Sequence, residues 1–404
     1  MEGNIAWVLI STALVLFMTP GLAFFYGGMV RSKNFLAMLM QNFFAIGLLA
    51  VVWTVVGYSL AFGSAGDGGW IGNLDFLGMK DVGLGDGTVL PPILFATFQM
   101  TFAIITPALI TGATADRLKF AGYAVLIGVW SILVYSPVAH WAFAGGWVAE
   151  MGALDFAGGL VVHINAGAAA IAVLLVIGAR KGHGKEPMPP HALPWTLMGT
   201  GILWFGWFGF NAGSALAADG IAAQALFNTL VAPAAAMLGW LIVEKVKGKH
   251  VTTLGAASGA VAGMVAITPC AGFVGSMAAV IIGFAAGIIC YLALFIKEAA
   301  KLDDALDVIA VHLVGGIFGS VALGLFADAS INGIVEHEGL FLGGGADLLI
   351  DQIVASVAVF AFSLIVTYVI AKAIDATMGL RVDEETEQVG LDQVLHAETA
   401  YNNL

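Results

Sequence analysis

The sequence predicts an all-α integral membrane protein of eleven transmembrane helices, N-out and C-in, built as two inverted five-helix repeats plus a long eleventh helix. Composition, apolar run lengths and the sidedness of basic residues predict it. Of 404 residues, 60% are hydrophobic and 10% charged, against about 25% charged in ordinary globular chains, and mean hydropathy is +0.96. The 53 glycines suit helices that associate in lipid through small residues, because burying apolar area there gives no drive. Disorder, collagen and nucleic-acid binding are set aside.

Runs able to cross a roughly 30 Å hydrocarbon layer lie near 5–26, 35–62, 91–114, 120–138, 158–177, 194–217, 221–243, 251–269, 273–295, 308–327 and 348–374. The first has no Lys or Arg ahead of it and exceeds a signal-peptide core, so it reads as a retained span. Cys270 and Cys290, if on one helix, sit roughly 30 Å apart, beyond disulfide reach.

Basic residues favour the cytoplasmic side. With the N-terminus outside, fourteen of the 15 Lys and Arg, from Arg31 to Lys249 and Arg381, fall inside and only Lys80 outside. One missed span would invert every later assignment, so the count supports itself. Thirteen acids, including Glu2, Asp67 and Asp155, fall outside and fourteen inside. The outer face is therefore strongly acidic and the inner face neutral. Such a field mildly concentrates cations at an outer mouth, and plain loop solubility explains it equally well.

The fifth and tenth spans each carry one histidine, in Val161-Val162-His163-Ile164-Asn165-Ala166-Gly167 and Ala310-Val311-His312-Leu313-Val314-Gly315-Gly316. Five spans per half being odd, the halves enter the membrane in opposite senses, with the shared site near the midplane. In-span ionisable groups usually face a cavity or a partner. Interhelical hydrogen bonding would explain either histidine alone; as a symmetric pair they read as a pore site. Removal from water disfavours imidazolium, so both rings are expected neutral, able to donate and accept. Asp155 reads as an N-cap for the His163 helix, accepting N–H groups around residues 157–159, and Asp303, Asp304 and Asp307 begin the His312 helix. At 100° per residue Asp307 points away from His312.

In the sixth span Trp207, Phe210 and Ser214 share a helical face, with Gly206, Gly209 and Gly213 allowing close packing. Phe98 and Phe102 stack at i, i+4 in the third. Aromatic stripes in membrane proteins are more often packing or interface belts, but the hydroxyl of Ser214 beside them could hold a small cation by cation–π attraction and one hydrogen bond.

Along nearly its whole length the chain resembles the ammonium transporter (Amt/Rh) family. The resemblance rests on Thr19-Pro20-Gly21 through Gly28, Ala153-Leu154-Asp155 through His163, Gly206-Trp207 through Ser214, and Asp303-Asp304 through His312, in that order. It implies transport of ammonium or ammonia, a homotrimer with a pore in each protomer, and residence in the cell membrane among lipid. It further implies a phenylalanine gate at Phe102 and Phe210, a twin-histidine pore at His163 and His312, and substrate recruitment at Phe98, Phe143, Trp207 and Ser214, with Asp155 as support. Where the family places tryptophan twelve residues before this aspartate, the chain has Phe143, a weaker cation–π partner; Trp141 is a candidate substitute. Residues 1–378 form the transmembrane domain (first repeat about 4–180, second about 193–328, last span about 346–378) and 379–404 a cytoplasmic regulatory segment, where the resemblance implies a PII-type regulator. No cofactor or metal is expected, and no nucleophile, base and orienting group occur together, so an enzyme is not expected. A haem between the two histidines would need an attachment motif or second ligand pair that the sequence lacks. An ammonium sensor with little flux, and an electroneutral ammonia channel, remain as alternatives to the transporter.

Overall fold

The structure, a computed structural model, describes residues 2–64, 69–85, 90–248 and 250–401. Asp67 of the outer acidic set and Lys249 of the inner basic set lie outside the described residues. Among the described residues, nine helices are long and apolar enough to cross a membrane: Glu2–Met29, Ser32–Phe62, Pro92–Thr114, Phe120–Glu150, Gly159–Ile177, Gly220–Val246, Ser276–Ala299, Ile309–Phe326 and Asp347–Thr377. Two shorter apolar helices complete the expected series, Leu193–Trp207, which runs on to Ala215, and Thr253–Ile267. The fourth helix reaches Phe143 before breaking, past residue 138, where apolar run length ends it. Phe143 therefore belongs to the bundle rather than to a loop.

The connections sort onto two faces. On one, Trp70 approaches Trp141, Phe156 N–H reaches the Pro269 carbonyl at 3.2 Å, and Asp328 N–H reaches Phe273 at 2.8 Å. On the other, Arg31, Asp116, Arg117, Arg180 and Asp303 meet. These are the groupings that charge sidedness predicts for outer and inner loops. Each polar face closes one end of a bundle whose flanks are apolar, with Leu9, Phe43, Val51, Phe205, Leu238 and Ile365 exposed.

Helices approach closely where they lack side chains. A Cβ on Gly199 would lie 2.2 Å from the Phe25 nitrogen, and one on Gly287 2.0 Å from the Ala236 carbonyl oxygen. Gly206, Gly209 and Gly213 likewise abut Leu14, Met18 and Ser11. Both cysteines are free and buried.

Among the described residues, five helices widen into a π turn, at Trp53–Gly57, Ser131–Tyr135, Gly159–Ile164, Phe208–Ala212 and Ile309–Val314. Such turns rotate the side chains that follow and frequently mark functional positions. The last three carry His163, Phe210 and His312.

The C-terminal segment lies along the Arg180 face. The Arg381 guanidinium pairs with Glu387 at 2.8 Å, and the Lys33 ammonium donates to the Gln388 carbonyl. Asp392 accepts from the Leu36 and Ala37 N–H groups at 2.9 and 2.8 Å, satisfying donors that the second span's N-terminus leaves open. Leu391 packs beside Ala37 and Val382.

Candidate functional site

The His163 and His312 helices run antiparallel. Gly159–Ile177 starts at the Asp155 face and ends at Arg180, whereas Ile309–Phe326 starts beside Asp303, which pairs with Arg180, and ends near Phe273. They cross at the two histidines. The imidazoles stack with centroids 5.3 Å apart and Nδ1 atoms 3.2 Å apart. No macrocycle fits between rings in direct contact, which removes the haem alternative.

A contact between two Nδ1 atoms needs one donor and one acceptor, so a single proton serves both. In the neutral pair, the donating ring leaves its Nε2 as a lone pair, and the accepting ring carries N–H at its Nε2. One imidazole thus presents an acceptor and the other a donor. His163 Nε2 is buried with no protein partner among the described residues, so its hydrogen-bonding capacity is unused by the protein.

Each histidine is aimed by an aspartate eight residues earlier. The Asp155 carboxylate accepts from the N–H groups of Gly158, Gly159, Leu160 and Val161 at 2.8, 2.7, 2.8 and 3.1 Å, slightly further along than the expected cap. Burial pushes its carboxyl up, against these four donors. The Asp304 carboxylate accepts from Val308 and Ile309 at 3.1 and 2.7 Å. Burial raises it to about 6, with Lys297 pulling down and Asp307 pushing up.

The three aspartates that open the His312 helix therefore divide. Only Asp304 caps. Asp307 pairs with Lys297, away from His312 as helical geometry predicts. Asp303 bonds Arg180 through both oxygens at 2.7 and 2.9 Å; burial would raise its carboxyl, but Arg180 and Arg117 outweigh it and hold it at about 2.

Around the histidines lies a narrow enclosed cavity of about 10 Å³, lined otherwise by apolar groups including Met18, Leu22, Ile105, Val162, Trp207 and Phe210. That is about the least room a water-sized molecule needs. Toward the Asp155 face Phe102 and Phe210 close it, stacked at 4.2 Å with planes 27° apart. Phe98 meets Phe102 edge-on at 68° rather than stacking, and is buried.

Beyond that stack opens a second cavity of about 200 Å³, lined by Phe95, Gln99, Phe102, Ala142, Phe143, Phe156, Ser214 and Leu216. The Ser214 hydroxyl donates to the Phe210 carbonyl at 2.8 Å, which leaves its oxygen lone pairs for a donor in the cavity. Phe143 and Ser214 thus share this space. Trp207, grouped with them on helical spacing, instead lies behind the phenylalanine stack, 5.6 Å from His163, its N–H donating to Thr268 at 2.9 Å. The π turn Phe208–Ala212 separates it from Ser214. Trp141 does not line the cavity: its N–H donates to the Trp70 carbonyl at 2.7 Å and its ring packs on Phe362 at 4.7 Å.

Residues 6–401 match the family described as Ammonium Transporter Family. The chain belongs to the ammonium transporter family. It is 46% identical to the ammonium transporter of Bacillus subtilis and to ammonium transporter Amt1 of Archaeoglobus fulgidus, covering 99% of both chains in each comparison. It is similar to the crystal structure of Mep2 from Saccharomyces cerevisiae, at 34% identity and a TM-score of 0.89, covering 95% of this chain and 88% of that one. A structure titled Sensor Amt Protein matches at 30% identity and a TM-score of 0.91, covering 98% of each. This ammonium transporter family member is a multi-pass protein of the cell membrane.

Sequence reasoning missed Phe95, Gln99, Phe156 and Leu216, and did not single out Asp304. The equal eight-residue offset from aspartate to histidine was the available signal for Asp304. For Gln99 it was an amide side chain one turn before Phe102 in an otherwise apolar run.

Proposed function

We propose that this protein carries ammonium inward, with the N-terminus and the Asp155 face outside and the C-terminus inside. Ammonium is recruited as a cation in the cavity of Phe143 and Ser214, supported by Asp155, passes the Phe102–Phe210 stack, and crosses the His163–His312 segment with its proton handled separately. The observation that carries this reading is the touching imidazole pair inside an apolar cavity. As neutral imidazoles the two rings carry no charge, and no carbonyl or carboxylate among the residues lining the cavity could replace the hydration shell of K⁺ or Na⁺. Ammonium can shed a proton, and the neutral molecule finds one donor and one acceptor. If the proton stays outside, transport is electroneutral; if it follows the imidazoles, transport is electrogenic. The family resemblance supports a homotrimer with one pore per protomer, and a regulatory role for residues 379–404 as a docking place for a PII-type protein.

The test is ammonium-evoked current from purified protein in a supported membrane, with K⁺ as control. A saturable current with ammonium alone supports electrogenic transport. Electrical silence with internal alkalinisation of proteoliposomes supports electroneutral ammonia conduction. Binding without flux would favour the sensor alternative, which the likeness to the structure titled Sensor Amt Protein keeps in view.

A further inference from the structure

We propose that Gln99 is a second hydrogen-bond acceptor for ammonium in the recruitment cavity, so that Gln99 and Ser214 together set affinity and the preference for ammonium over methylammonium. This rests on the recruitment reading above. Gln99 lies in the third span between Phe95 and Phe102, and all three line the same cavity. It is 9% exposed, yet its side-chain amide makes no hydrogen bond to protein among the described residues. With no protein partner, the amide must find one in the cavity it lines. A helix that needed only packing here would be better served by leucine.

The surroundings say what the partner must be. The other lining groups are rings, methyl-bearing side chains and one hydroxyl, whose proton is already given to the Phe210 carbonyl. With the Gln99 amide turned so that its oxygen faces the cavity, the lining offers oxygen lone pairs and aromatic faces, the complement of a small cation rich in N–H groups. Because both acceptors are neutral, they hold a cation without trapping it, as a conducting site requires. With phenyl rather than indole at 143, the oxygen acceptors carry more of the affinity. Leu216, also on the lining, has φ +55, a left-handed backbone that a leucine rarely adopts and that collects at binding sites.

Four N–H groups on ammonium use both acceptors with hydrogens to spare for the rings. Methylammonium has three, and its methyl group must turn toward one of these surfaces. When the methyl group faces one of the two acceptors, methylammonium uses only the other, and losing an acceptor then costs ammonium more. The experiment compares Gln99→Leu, Gln99→Met, Gln99→Glu and Ser214→Ala with wild type in proteoliposomes, titrating ammonium and methylammonium and reading current and internal pH. Gln99→Leu and Gln99→Met are expected to raise the half-saturating ammonium concentration about 10-fold, moving it more than the maximal rate, and to narrow the ammonium-to-methylammonium preference. Gln99→Glu, which keeps an acceptor of the same length and adds charge, is expected to hold half-saturation at or below the wild-type value. If both apolar variants stay within twofold of wild type while Ser214→Ala shifts, the role of Gln99 is overturned and the cavity stands. If neither Gln99 nor Ser214 variants shift half-saturation, the recruitment reading falls with it. Should Gln99→Leu aggregate on size-exclusion chromatography, Gln99→Met and Gln99→Glu carry the same contrast.

Discussion

The two halves of the histidine site solve one problem with different means. On the Asp155 side, that aspartate aims the His163 helix through four backbone donors and makes no ion pair among the described residues. On the Arg180 side, Asp304 aims the His312 helix through two, and its neighbours Asp303 and Asp307 are taken up by Arg180 and Lys297. Backbone caps are short and stiff. Ion pairs across loops depend on where those loops sit, and Arg180 also joins Asp116, which holds Arg31 and Asn34. Asn34 in turn accepts from Leu391 of the C-terminal segment at 2.8 Å. His163 is thus fixed locally, and His312 is fixed by the whole Arg180 face.

The largest effect that separates the halves is expected from the caps. Asp155→Ala strands four buried N–H groups where Asp304→Ala strands two, and each costs about 1–3 kcal/mol. Folded yield on size-exclusion chromatography and melting temperature should therefore fall much further for Asp155→Ala. Equal losses would mean that the Asp155 cap holds no more than the Asp304 one.

Asp304 also gives the Arg180 side a pH response. Its folded value of about 6 lies above the ordinary value near 3.9, so the folded protein takes up this proton first. Below pH 4 the contribution to stability is fully present, and it is lost as pH rises through 6. Asp304 is thus expected to make the fold about 2 kcal/mol less stable at pH 7.5 than at pH 4.5, relative to its own unfolded chain. Melting temperature of wild type against Asp304→Asn across that range checks this: the variant should lack that component of the slope.

These contrasts also mark how far the sequence could be read. Composition and Lys/Arg placement sufficed for the helical series because lipid imposes them residue by residue, whatever the packing. The histidine pair and the Asp155 cap were legible because an ionisable group in a span, or an acid just before one, admits few uses. The π turns were not legible. A widened turn leaves no local signature, yet the one at Phe208–Ala212 sends Trp207 to the histidines and Ser214 to the outer cavity, although regular helical spacing puts both on one face. The direction of Trp141 was equally hidden, because it depends on the Trp70 carbonyl, far away in sequence. Among Asp303, Asp304 and Asp307, the helix-start rule could not choose; a cross-repeat comparison of spacing does.

A smaller effect concerns the outer cavity. Phe143→Trp should lower the half-saturating ammonium concentration about 2- to 5-fold, in line with roughly 0.5–1 kcal/mol for an improved cation–π contact. Titration of current or of internal pH reads it. No change would show that the cation does not rest against position 143.

The most direct test of the account is the ammonium-to-K⁺ signal ratio of His163→Ala and His312→Ala, each reconstituted at matched protein density and matched melting temperature. With the imidazole pair as the conducting element, proton-coupled ammonium current should fall at least 10-fold in both variants, or K⁺ should begin to pass. Unchanged current and unchanged selectivity in both would reduce the pair to packing and contradict the account.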